Sequence, residues 1–299
     1  MKTILITGST HGIGEAAALA LARQGHRLLI HGRSASLCLE VVQRIQQQTG
    51  NPNISFLTAD LSDLSQVRQL AQEVKRRFDR LDVLVNNAGG FFLTRQLSPE
   101  GFEMTWALNH LSYFVLTLEL LELLKASAPA RIVNVSSNSH GGARLDCDSL
   151  TGLEKRPYFS WKAYGRSKLA NLLFTYELTR RLEGVKVTAN ALHPGLVRTH
   201  IGMNFGLLSR LVQPFFMSRG VSPEEGAQTT VYLTSSPDVE GVSGNYYVRC
   251  QAEASSPESY DLAAARKLWE AGETLLGLCS GPPDLDIQDK CAINPKDPP

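Results

Sequence analysis

The chain carries almost no net charge: 30 basic side chains stand against 29 acidic ones, for a formal +1. That balance lacks the basic footprint with which nucleic-acid binders engage phosphates, so no nucleic-acid partner is expected. Cysteine is scarce and scattered. The five residues, Cys38, Cys147, Cys250, Cys279 and Cys291, are odd in number and form no C-x-x-C pair. This reads against a disulfide framework or a zinc site, and for free thiols in a reducing compartment, the cytosol. Long hydrophobic runs are missing too. The longest apolar stretch, residues 108–124, is interrupted by Asn109, His110, Glu119 and Glu122. It reads as a buried helix, so no transmembrane segment is expected. Met1-Lys2-Thr3 leads straight into Ile4-Leu5-Ile6, with no signal-peptide pattern before it.

What is present is a rhythm. Of 299 residues, 43% are hydrophobic, enough for one large domain with a buried core. Short apolar runs at residues 3–7, 27–31, 54–58, 81–86, 131–136, 185–192 and 245–249 read as strands. Helical patterns such as residues 14–24, 64–78 and 164–182 lie between them. Apolar strands separated by helices imply a parallel sheet covered on both faces. Right-handed crossovers then give a doubly wound α/β domain. The expectation is a single Rossmann-type domain over residues 1–280, with a seven-stranded parallel sheet in the order 3-2-1-4-5-6-7. Residues 199–221, rich in Leu, Phe, Met and Gly without a strand pattern, read as a mobile apolar lid. Residues 281–299 hold five prolines and few large apolar side chains, and are expected to form a poorly ordered tail.

The first strand runs into Thr7-Gly8-Ser9-Thr10-His11-Gly12-Ile13-Gly14, followed by the helical Glu15-Ala16-Ala17. Glycines permit a tight turn and let backbone N–H groups approach a pyrophosphate at a helix N-terminus. The strand before and the helix after point to a dinucleotide site rather than an ordinary turn.

The spacing T-G-x-x-x-G-x-G resembles the short-chain dehydrogenase/reductase pattern, and further motifs of that family follow in order. Asn86-Asn87-Ala88-Gly89 closes the fourth strand, Asn109 lies in the next helix and Ser136-Ser137 closes the fifth strand. Tyr164-x-x-x-Lys168 opens a helix, and Pro194-Gly195-Leu196-Val197-Arg198-Thr199 follows the sixth strand. The resemblance runs from about residue 2 to 278. It is strongest to the retinol-dehydrogenase-like branch, through residues 131–137, Ser167-Lys168-Leu169-Ala170-Asn171 and Lys267-Leu268-Trp269-Glu270.

Reducing a carbonyl with a nicotinamide requires a proton donor and a group that holds the oxygen in line. Tyr164 is the candidate donor. A phenol titrates near ~10, so it needs a nearby cation to release its proton at neutral pH. Lys168 stands four residues on, on the same helix face. A surface Tyr–Lys pair of no chemical role is the plain alternative, which the motif series disfavours. The resemblance implies that Lys168 also binds the nicotinamide ribose and that Asn109 orders a water beside it. Ser137 is the candidate oxygen holder, with Ser136 as competitor; the family pattern favours Ser137. His140, a turn histidine near two glycines, reads as structural or solvated and is given no acid/base role.

The second strand ends His31-Gly32-Arg33-Ser34. No carboxylate stands where it would repel a 2′-phosphate, and Arg33, helped by Ser34, offers donors matched to phosphate. NADP(H) is therefore expected over NAD(H). The resemblance places Gly8, Ser9, Thr10, His11, Gly12, Ile13, Gly14, Asp60, Leu61, Asn87, Ala88, Gly89, Tyr164, Lys168, Pro194, Gly195, Val197 and Thr199 around that cofactor. The apolar lid suits a lipophilic aldehyde, ketone or alcohol. The family also forms homodimers through two long helices, although no residue here decides that. A catalytically silent NADP sensor or a partner-binding Rossmann protein is the rival reading; the intact Asn109, Ser137, Tyr164 and Lys168 argue against both.

Overall fold

The computed structural model describes residues 1–145, 157–197, 220–275 and 277. The tail expected at 281–299 and, except for Gly220 and Val221, the lid expected at 199–221 lie outside the described residues, as does Thr199.

Strands and helices alternate from the start: β1 (Thr3–Ile6), α1 (Gly12–Arg23), β2 (Arg27–Gly32), α2 (Ala35–Thr49), β3 (Ile54–Thr58), α3 (Leu64–Arg77) and β4 (Val83–Asn86). They continue through α4 (Met104–Ala126), β5 (Ala130–Val135), α5 (Ser160–Arg181), β6 (Val187–His193), α6 (Pro223–Ser235), β7 (Tyr246–Val248), β8 (Gln251–Glu253) and α7 (Leu262–Leu275). The strands form one sheet in the order β3-β2-β1-β4-β5-β6-β7-β8, parallel from β3 to β7.

Side-chain alternation along each strand sorts the core into two layers. Leu5 of β1 joins α3, α4, α5 and α7 on one face. Its neighbours Ile4 and Ile6 join α1, α2 and α6 on the other. The doubly wound class and the order of the first seven strands are those expected from the sequence.

The sheet differs from the expectation by one strand. β8 runs antiparallel to β7, with Val248 paired to Gln251. The turn between them is Arg249-Cys250, both at positive φ, 49° and 63°. A two-residue hairpin of this kind is usually announced by Asn or Gly, which tolerate positive φ. Arg-Cys carries no such signal, so the hairpin is invisible to sequence patterning.

The 23-residue α4 is apolar and long enough by composition to cross a membrane. Here its Phe114, Val115, Leu116, Leu120 and Leu124 are core residues packed within the domain. Its regular winding loosens over Ala107–Leu111, a π-helical stretch centred on Asn109. Such stretches widen a helix locally and recur at functional sites.

Candidate active site

The carboxyl ends of β1, β2, β4, β5 and β6 share one edge of the sheet, where open α/β sheets bind ligands in a cleft. On its first side, the Thr7 hydroxyl accepts from the Asn87 and Ala88 N–H groups at 2.8 and 3.0 Å. The Asn87 amide donates to the carbonyls of Thr7 and Gly8 at 2.8 and 3.1 Å. The glycine loop is thereby pinned to the end of β4. This close approach is why side chains are absent. A Cβ on Gly14 would lie 2.4 Å from the Gly8 carbonyl oxygen, and one on Gly8 would lie 2.8 Å from the Ala88 Cα. Gly8 and Gly12 also hold φ of +63° and +61°. At the start of α1, His11 contributes no side-chain cap, so the N–H groups of the first turn face the cleft as an anion cradle. The loop fits a pyrophosphate.

The other residues expected on this side divide into two kinds. Some present groups to the cleft edge. Arg33 is exposed just past β2, with no carboxylate paired to it among the described residues. Others serve the scaffold. Ser9 is buried, donating to the Ile6 carbonyl at 2.8 Å and accepting from His31 N–H at 2.9 Å. Ser34 caps α2. Asp60, beside buried Leu61, accepts from the Ser62 N–H and hydroxyl. Thr10 lies on Gly32, where a Cβ would come 2.4 Å from Thr10 Cγ2. Pro194 and Gly195 follow β6. Val197 packs with Ile13 and Ala227, closing the segment over the start of α1.

On the second side, polar side chains are buried and hold one another. Asn86 donates to Asn134 at 2.9 Å, and Asn134 to Thr175 at 2.9 Å. Asn171 donates to the Asn109 carbonyl at 2.9 Å. The Asn109 side chain accepts from Gly90 N–H at 2.7 Å and donates to the Gly90 carbonyl and to Ser167 Oγ. Ser136 donates into α5, to the Lys168 carbonyl at 2.8 Å. Ser137 instead stays on its own turn, donating to Asn138 Oδ1 at 3.3 Å and Ser139 Oγ at 3.2 Å, and its hydroxyl draws the Tyr164 pKa down, so of the two serines it is Ser136 that is tied into α5.

Lys168 is buried, its Nζ donating to the Val135 carbonyl at 3.0 Å and lying 5.6 Å from the Tyr164 ring centre. A Cβ on Gly89 would come 3.6 Å from that Nζ. Burial lowers the Lys168 pKa to about 7. Burial also raises that of Tyr164 to about 12, against a lowering by the Ser137 hydroxyl. The depression of the phenol expected from its lysine does not set its pKa; desolvation does, with Ser137 opposing it. A lysine that releases its proton near pH 7 is uncharged long before the phenol ionises. At neutral pH Tyr164 holds its proton, the form a donor needs.

Four contributors to this site were not singled out from sequence. Gly165 sits where a Cβ would come 2.7 Å from the Ser139 carbonyl oxygen. It lets the turn after Ser137 rest on α5 beside Tyr164. A glycine inside a helix, disfavoured by about 1 kcal/mol against alanine, was the available signal. Phe91 stands 5.6 Å from the Tyr164 ring and 4.6 Å from that of Trp161. Trp161 and Phe159 are 62% and 58% exposed, an apolar approach to the phenol.

A nucleotide cradle beside a buried serine and lysine and a half-buried tyrosine defines the class: a Rossmann-fold oxidoreductase. Residues 2–207 match the short chain dehydrogenase family, and the chain belongs to that family, in its retinol-dehydrogenase-like branch. It is 42% identical to human Retinol dehydrogenase 14 over 93% of this chain and 87% of that one. A solved Mycobacterium Paratuberculosis protein shares 30% identity, with a TM-score of 0.74, over 93% of this chain and 94% of its own. The Pseudomonas aeruginosa RhlG/NADP active-site complex is 26% identical, with a TM-score of 0.63, over 86% and 96% of the two chains.

Proposed function

We propose that this enzyme uses NADP(H) to interconvert a lipophilic aldehyde or ketone and the corresponding alcohol, with Tyr164 as acid/base. The observation that carries the reading is the half-buried Tyr164, with Lys168 beneath its ring, between Ser137 and an apolar aromatic approach. The cofactor, when bound, supplies or accepts the hydride. The protein's own groups do the rest. The glycine loop and the start of α1 hold the pyrophosphate, and Arg33 meets the 2′-phosphate. Ser137 hydrogen-bonds the substrate oxygen and fixes its place. Tyr164 delivers a proton to that oxygen in reduction and takes it back in oxidation. Lys168 supplies a titrating ammonium beneath the phenol, and Asn109 holds the Gly90 backbone next to it.

The preference for NADP(H) is supported by the exposed Arg33 fork and by the relative solved with NADP. The lipophilic substrate class is supported by Phe91, Phe159 and Trp161 and by similarity to a retinol dehydrogenase. Nothing in the reading needs a membrane span, and we place the enzyme in the cytosol on its free thiols.

The test is NADPH oxidation with a panel of short and long aldehydes, retinal, steroids, quinones and aryl ketones. Turnover should rise with apolar surface. Absence of turnover with every member, in both directions and with either cofactor, would return the protein to the rival reading of a silent nucleotide sensor.

A further inference from the structure

The turn that follows Ser137 is held by one side chain at both of its ring nitrogens. Residues Asn138–His140 form a single 3-10 turn capped by the Ser137 hydroxyl, which accepts from Ser139 N–H at 3.2 Å. The His140 ring is buried and folds back on the turn. Its Nδ1 meets the Ser137 carbonyl, which also accepts from the His140 N–H at 3.2 Å. Its Nε2 meets the Ser256 N–H at 3.0 Å. The ring stands edge-on to Tyr246, 5.2 Å between centres.

The partners dictate the tautomer. A carbonyl only accepts, so Nδ1 must carry the proton; a backbone N–H only donates, so Nε2 must be bare. Burial favours this neutral ring, pulling the His140 pKa below its ordinary value. Beyond Ser256 the anchor is firm: Tyr176, Ser255 and Ser259 are joined by hydroxyl contacts of 2.7 and 2.6 Å. On the opposite side, Gly165 of α5 lets the Ser139 carbonyl pack close beside Tyr164.

We infer that His140 is a positioning residue that sets the Ser137 hydroxyl against Tyr164 through the bond its Nδ1–H makes to the Ser137 carbonyl, with the Ser256 N–H only fixing the tautomer. The inference rests on the reading of Ser137 and Tyr164 as the reacting pair. An imidazole suits this role because the Ser256 N–H, meeting a bare Nε2, leaves the ring proton on Nδ1, where the carbonyl accepts it.

The two ends can be cut separately. In His140→Asn the side-chain amide reaches the position of Nδ1, keeping the Ser137 link and losing Ser256. In His140→Gln the amide reaches the position of Nε2, keeping Ser256 and losing Ser137. Since a misplacement of about 1 Å costs up to about 100-fold in rate, kcat should fall by that order in His140→Gln and stay near wild type in His140→Asn. KM for the cofactor should be unchanged in both. The reverse ranking, or equal losses in the two, overturns the inference and leaves His140 as an anchor of the Ser256 segment. In a Ser137→Ala background His140→Gln should add little further loss; its full factor appearing there also overturns it. A crippled Ser137→Ala beside an active His140→Gln sinks this inference alone, whereas wild-type turnover in Ser137→Ala removes the site reading on which it stands. Ser256→Pro serves if His140→Gln does not fold. It deletes the far N–H together with the Ser256 hydroxyl, at a backbone φ of −64° that proline accepts. Retained kcat agrees with the clamp on Ser137, and a large loss at unchanged stability contradicts it.

Discussion

The two sides of the cleft are built by opposite means. On the side of β1 and β2, close packing comes from side chains that are missing: Gly8, Gly14 and Gly32 let backbone and Thr10 approach where a Cβ would collide. On the side of β5 and α5, it comes from side chains that are buried and hydrogen-bonded in series, through Asn86, Asn134, Thr175, Asn171 and Asn109. The cofactor side therefore answers to volume, and the catalytic side to hydrogen-bond chemistry.

The sharpest way to separate them is Tyr164→Phe. It removes one oxygen from the catalytic side and alters no packing on the other. Turnover should fall by roughly 10²–10⁴, the contribution of a positioned acid, while cofactor affinity measured by fluorescence titration barely moves. Near-wild-type turnover would end the assignment of Tyr164. The complementary change is Gly14→Ala. A single methyl must displace the Gly8 carbonyl from 2.4 Å, an overpacking worth about 1–3 kcal/mol. Cofactor binding should weaken and thermal stability drop together, with the catalytic pair untouched. An alanine variant that binds cofactor as tightly as wild type would show that the loop does not need the close approach.

Acid should loosen both sides at once, because each is braced by a buried neutral histidine. His31 accepts from Gly8 N–H at 3.2 Å, and His110 contacts Asn171 at 3.2 Å. Burial lowers each imidazole to a pKa of about 4. In the unfolded chain each binds a proton near 6.5; in the fold, only near 4. Between those values the unfolded chain holds more protons, so stability is lost as pH falls from about 6.5 towards 4. At pH 5 the loss is on the order of 2 kcal/mol per histidine. Denaturant unfolding at pH 7 and pH 5 measures it, and an unchanged free energy would be incompatible with two neutral buried rings.

The contrast between the sides also explains what was readable beforehand. The strands and the glycine loop were legible because apolar runs and glycines state a backbone requirement directly in the residue type. The Ser137, Tyr164 and Lys168 constellation was legible only through spacing learned from a family. Its inner wiring was not. Nothing in the string says that Ser136 turns into α5 while Ser137 stays beside the phenol, or that desolvation sets the Tyr164 pKa. Those depend on burial, which long-range packing sets. The β7–β8 hairpin escaped for a local reason, since Arg249 and Cys250 accept positive φ without the usual residue signal. His140 was legible as a structural residue, but its partner at Ser256 is a backbone N–H far along the chain.

The smallest expected effect is on cofactor choice, and here the packing changes the experiment. From sequence, Gly32 is simply the absence of a repelling carboxylate, which suggests installing one to invert the preference. The fold shows that Gly32 is filled from outside, by Thr10 Cγ2 at 2.4 Å and Cys38 Sγ at 3.0 Å from any Cβ. An aspartate there would displace Thr10 and the glycine loop with it, confusing charge with overpacking. Arg33 is the clean probe, because it is exposed and pairs with no carboxylate among the described residues. A hydrogen bond to a charged group contributes about 1.5–3 kcal/mol, and about 1.4 kcal/mol is a factor of ten. Solvent at the pocket rim screens the interaction, so the lower end of that range applies. Arg33→Ala should cut kcat/KM with NADPH about tenfold and leave kcat/KM with NADH nearly unchanged, at fixed ionic strength. Raising the salt concentration should shrink the wild-type preference and do little to the variant. Equal losses with both cofactors would mean that Arg33 supports the loop rather than reading the phosphate.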